Sequence, residues 1–168
     1  MALLSTVIAV MLLKAGPQHL PASRQLLGAS ILLYLVTGLL ILLPELDAAT
    51  ALGDMLLDIG VLASFSYFTL SMLGFTRRFV QTVATLATTG CVFHLLAWPV
   101  LVHINSLQAQ QQDALIESLL MLALLAWQIL VNAHIFRYAL ELKMGAAVAL
   151  SFGYLFLSIA LSQIVFGY

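Results

Sequence analysis

The chain has 168 residues, of which 63% are hydrophobic and only 8% charged, with a formal net charge of −1. A water-soluble domain carries about 25% charged residues. This composition, with a mean hydropathy of +1.11, therefore excludes a free soluble protein and places the chain in a lipid bilayer. A span takes roughly 20 apolar residues, so little more than half a dozen could fit, with no separate soluble domain beside them and no nucleic-acid partner.

The first segment, residues 1–22, is read as a cytoplasmic interfacial piece. Met1 to Leu13 has the apolar character of a signal-peptide core, but no basic residue precedes it and Lys14 follows it, which argues against a cleaved signal. About 13 residues at 1.5 Å each reach roughly 20 Å, short of a hydrocarbon core of about 30 Å. The expectation is a short helix lying in the interface and stopped by Gly16-Pro17.

Residues 23–168 then read as a transmembrane domain of five spans, near 24–44, 48–75, 78–102, 113–137 and 144–167, separated by charges and breakers. Pro44 closes the first, Gly74 precedes the Arg77-Arg78 turn, and Gly145 stands at the start of the fifth. The polar run Ile104 to Gln112 is read as a loop rather than as part of the third span. The fold class expected is all-α, a polytopic bundle of five transmembrane helices plus the short N-terminal helix.

Lys and Arg near span ends are retained on the cytoplasmic side. Lys14, Arg24, Arg77, Arg78, Arg137 and Lys143 all fall on one side of the five-span plan, and of the seven acids only Glu141 joins them. The N-terminus is thus expected in the cytoplasm and the C-terminus outside. The third span carries the densest run of small residues, with Thr85, Thr88, Thr89 and Gly90 as its packing face, and small residues let helices approach closely in lipid. That span is expected near the bundle centre. The Leu-rich first and fourth should face lipid more.

Ionisable and amide groups inside the membrane are the candidate site, because each costs about 2.5 to 3.5 kcal/mol to insert when charged. Counted from the arginines at 1.5 Å per residue, Asp54 and Asp58 fall about 34 and 28 Å up the second span, at or beyond its outer edge, and four apart on one face. His94 stands about 24 Å up the third span; the leading expectation is a hydrogen bond to a neighbouring helix, and a contact with Asp58 or Glu117, at similar levels, is the alternative. Gln128 and Asn132 share a face of the fourth span. No nucleophile, zinc or phosphate-loop motif is present, and the spread of the histidines in depth disfavours a haem held by two of them. No enzymatic activity and no cofactor or metal are expected. The single cysteine, Cys91, permits no intramolecular disulfide.

With Gly16-Pro17-Gln18-His19-Leu20-Pro21-Ala22-Ser23 leading into the first span and Arg78-Phe79-Val80-Gln81-Thr82 opening the third, the five-span plan resembles small bacterial members of the Yip1-domain group. The Asp-Leu-Tyr-Gly-Pro stretch of eukaryotic members is missing here, as is their longer cytosolic head. The resemblance implies a bacterial inner-membrane protein without catalytic residues, acting through contacts with protein or lipid. A scaffold or accessory subunit, bound to other integral membrane proteins or to itself, is the leading functional expectation. A small oligomeric transporter or channel with a polar path near His94 is the alternative.

Overall fold

The computed structural model describes residues 2–167, with nothing said of the Ala2 side chain; Met1 and Tyr168 lie outside the described residues. Among these residues there are six α-helices and no strand: α1 (Ala2–Met11), α2 (Arg24–Leu42), α3 (Ala48–Met72), α4 (Phe79–Ala109), α5 (Leu115–Leu140) and α6 (Met144–Phe166). The last five are long and apolar enough to cross a membrane. The chain is an integral membrane protein built as an all-α bundle.

Local chemistry sets the helix ends. Ser23 caps α2 by accepting from the Leu26 N–H, and Asp47 caps α3 by accepting from the N–H groups of Ala49 and Thr50. Gly74, at φ +78°, closes α3 in the left-handed region that glycine enters without penalty. Phe75 N–H then reaches back to the Leu70 carbonyl at 2.8 Å.

Two turns are tied together at one end of the bundle. Arg78, in the α3–α4 turn, donates to the carbonyls of Tyr138 and Ala139 at the foot of α5 and pairs with Glu141 at 2.6 Å. We call this the basic end, since Arg24, Arg77, Arg137 and Lys143 also stand at helix termini there. At the opposite, acidic end, Asn105 of α4 donates to Glu45 at 2.5 Å, and His103 meets Glu117 of α5 at 3.3 Å.

Three features differ from the sequence-based expectation. First, α4 continues through Pro99 to Ala109, seven residues beyond the expected end near 102. The polar run after Ile104 is a helix projecting past the apolar zone, where Asn105 and Ser106 face water while keeping helical backbone. Second, the most lipid-facing span is α6. The most apolar windows of α2 and α5 are 22% and 28% buried, whereas that of α6 is only 17% buried, because α6 packs chiefly on α3 and α5 at the edge of the bundle. The window of α4 is the most buried, at 39%, and α4 touches α1, α2, α3 and α5. Its Thr85, Thr89 and Gly90 are buried, and Thr88 donates to Ser30 of α2 at 3.0 Å.

Third, α1 is packed against the bundle rather than standing apart from it. Val7, Val10 and Met11 are buried against α4 and α5. The Trp127 indole N–H donates to the Met11 carbonyl at 3.0 Å, and His134 Nε2 lies 3.0 Å from the Ala15 carbonyl. Trp127 is about 20 Å up α5 from Leu140 and His134 about 9 Å. The segment from Met11 to Ala15 therefore descends alongside α5 inside the bundle. Irregular backbone is tolerated at such depth only where protein groups satisfy it, and Trp127 and His134 do so. Gln81 serves the Leu20 carbonyl the same way at 2.7 Å.

Candidate functional site

The α3–α6 seam runs antiparallel and in register. Asp54 accepts from Ser162, and one turn along, Asp58 accepts from Ser158 at 2.6 Å. Two carboxylates spaced four apart on α3 thus meet two hydroxyls spaced four apart on α6, as residues on one helix face must. Tyr154, a further four residues along α6, reaches up to the same Asp58 Oδ1 at 3.2 Å. From α2, the Tyr34 hydroxyl donates to Asp58 Oδ2 at 2.6 Å. Asp58 so joins α2, α3 and α6 through three hydroxyl donors.

Asp58 lies deeper than the count from the arginines implies. Residues 73–78 form a turn and a short 3-10 segment and add little rise. From Met72, where α3 ends, Asp58 is about 21 Å up and Asp54 about 27 Å. Ten residues of α3 precede Asp58, a further 15 Å or so. In a core of about 30 Å centred on α3, both aspartates fall within the hydrocarbon zone, with Asp58 close to its middle. His94, about 22 Å up α4 from Phe79, is at the level of Asp58.

His94 and the two aspartates line one cavity of about 220 Å³. Its polar side comes from α3 and α6, with Asp54, Asp58, Ser158 and Ser162. The facing wall is Gly38, Ile41 and Leu42 of α2. His94 is held by its own set of contacts: Nδ1 is 3.1 Å from the Thr37 hydroxyl, and its ring lies tilted against Tyr34 with centroids 4.6 Å apart. Neither Asp58 nor Glu117 hydrogen-bonds to His94. Glu117 is at the acidic end with His103, so in place of a His94–Glu117 contact there is a His103–Glu117 pair. Gln128 and Asn132, half-buried on α5, do not line the cavity.

Glycine makes the arrangement possible. A Cβ at Gly90 would strike the Tyr34 ring, and one at Gly38 would strike Met55 and crowd His94. Ile41 and Leu42 also wall a second hollow of about 160 Å³ that extends past Trp98 to Glu45 and Asn105. The two hollows share Ile41 and Leu42, and the second reaches the acidic end. Among the described residues the ion pairs are Arg78–Glu141 and His103–Glu117, so Asp54 and Asp58 face no lysine or arginine. No group of three or more His, Cys, Asp or Glu among those residues is placed to hold a metal ion.

Tyr34, Thr37, Tyr154, Ser158 and Ser162 escape a reading of charges and motifs. A usable signal does exist: 154, 158 and 162 on the last span repeat the four-residue step of Asp54 and Asp58 on an antiparallel one. No protein-family model matches the chain, and no curated protein or solved structure matches it either.

Proposed function

We propose that this protein is a small, non-enzymatic cation transporter or channel whose intramembrane binding position is the cavity at Asp54 and Asp58. One observation carries the reading: two carboxylates share a cavity at the depth counted above, and its lining holds no lysine or arginine, with His94 as its basic side chain. Ionisable groups in a span are costly, and where they persist they mark ion or substrate paths. Two carboxylates with no lysine or arginine in their shared lining are suited to a cation. Entry is from the acidic end, through the hollow between Glu45 and Trp98. The excess of Lys and Arg assigns the basic end to the cytoplasm, so the cavity opens toward the outer side. A scaffold role, the leading expectation from the sequence and from the likeness to the Yip1-domain group, gives the two aspartates no task beyond fastening helices.

The test is flux in liposomes. Purified protein reconstituted in vesicles with a pH dye inside should collapse a proton or alkylammonium gradient faster than empty vesicles do, and Asp54→Asn and Asp58→Asn should abolish the excess. Rates equal to those of empty vesicles, with a stoichiometric membrane partner recovered from the native membrane in mild detergent, would return the scaffold to first place.

A further inference from the structure

The cavity has a few polar groups, Asp54, Asp58, Ser158 and Ser162 with His94 of α4, in an otherwise apolar lining, and this mixture bears on what kind of cation it takes. Asp54, Asp58, Ser158 and Ser162 stand on the α3–α6 side. Ile41 and Leu42 of α2 face them, and Leu57 and Ile159 complete the apolar lining. A bare metal ion needs oxygen ligands around most of its surface. An organic ammonium needs acceptors only around its charged head and gains from apolar contact along its tail.

The two aspartates are not equally free to serve such a head group. An ionised carboxylate offers about four acceptor positions. Asp58 has committed three of them, to Tyr34, Tyr154 and Ser158. Asp54 has committed one, to Ser162. Asp54 is also nearer the acidic end, by one helical turn, and is the carboxylate a cation coming from that end meets first.

We infer that the cavity binds a small organic ammonium, with Asp54 as the ligand-binding carboxylate, Asp58 as the residue that fixes the three surrounding helices, and Ile41, Leu42, Leu57 and Ile159 as the seat of the alkyl part. The volume of about 220 Å³ sets the size. It admits a short alkylammonium, whose N–H groups can reach a carboxylate, whereas a tetraalkylated cation has no N–H to donate. This inference rests on the cation-binding reading above and narrows it to a chemical class.

The experiment measures thermal stabilisation and calorimetric binding of the full chain in detergent. The probes are methylammonium, n-butylammonium, tetrabutylammonium and sodium chloride. Expected are tightening of about fourfold per added methylene from methyl to butyl, no binding of tetrabutylammonium, and no specific effect of sodium. Asp54→Asn should lose n-butylammonium binding at least tenfold while melting near the wild-type temperature. Leu42→Ala, which enlarges the apolar wall without touching either carboxylate, should flatten the dependence on chain length.

Stabilisation by sodium without any by alkylammonium overturns the inference and leaves the transport reading standing. Binding of n-butylammonium that survives Asp54→Asn overturns the assignment to Asp54. Failure of every cation to bind removes both this inference and the reading on which it rests.

Discussion

Tyr34 and Asp58, 24 positions apart in sequence, are joined by a 2.6 Å hydrogen bond that links α2 to α3 at the depth of the cavity. A hydrogen bond to a carboxylate contributes about 1.5–3 kcal/mol, more than a neutral pair. Tyr34→Phe keeps the ring against His94 and removes only the hydroxyl. It should therefore lower stability by roughly that amount, read as a drop in melting temperature in detergent. Asp58→Ala should cost more than Tyr34→Phe, since it strands the hydroxyls of Tyr34, Tyr154 and Ser158 together. A melting temperature unchanged in both variants would remove Asp58 as the fastening residue.

The same bond depends on Gly90. An alanine there places its methyl on the Tyr34 ring, and overpacking of a buried contact costs typically about 1–3 kcal/mol. Gly90→Ala should destabilise by that order and loosen the Tyr34–Asp58 contact. Gly28→Ala on α2 supplies the control, because a Cβ there meets nothing within 4 Å. It should be neutral or stabilising by up to about 1 kcal/mol, the helix-propensity difference. Equal melting shifts in the two variants would contradict the close approach of α2 and α4.

Asp47 gives a pH dependence whose sign can be worked out. The Thr50 hydroxyl, with the N–H groups of Thr50 and Ala49 behind it, holds this α3 cap below the usual carboxylate range. The folded value is thus lower than the unfolded one of about 3.9. Its contribution is present above that unfolded value and is lost as the pH falls through the folded one. The melting difference between wild type and Asp47→Ala should accordingly be full at pH 7 and shrink below about pH 4. A difference constant down to pH 3 would show that the cap acts without its charge.

The helical class and the number of spans were legible because charges interrupt an otherwise continuous apolar sequence, and two of the gaps also carry a breaker, Pro44 and Gly74. Depth was less legible. Counting from Arg77 treats residues 73–77 as rising at the helical rate, and that error lifts Asp58 by about 7 Å, toward the outer edge. The count for His94 changes little, because α4 starts within two residues of the arginines. Its partners were not legible, since Thr37 and Tyr34 are ordinary span residues until α2 is laid against α4. The end of α4 was misread for a different reason: polar composition reports water, and a helix beyond the membrane meets water without ceasing to be a helix.

The placement of α1 was the least legible, because a short apolar segment suits an interface and a bundle crevice equally well. What decides it sits far away in sequence, at Trp127 and His134. If those two side chains hold the descent from Met11 to Ala15, then Trp127→Phe with His134→Ala should release it while leaving α2 to α6 in place. The amides of Leu12, Leu13, Lys14 and Ala15 bond within the segment to the carbonyls of Ile8, Ala9 and Val10, so they exchange with solvent only when the segment opens. Hydrogen exchange followed by mass spectrometry should show these amides at least tenfold faster in the double variant, with peptides from α4 unchanged. Rapid exchange already in the wild type would mean that the segment is not docked. Equal, slow exchange in both would assign its hold to the buried Val7, Val10 and Met11 alone.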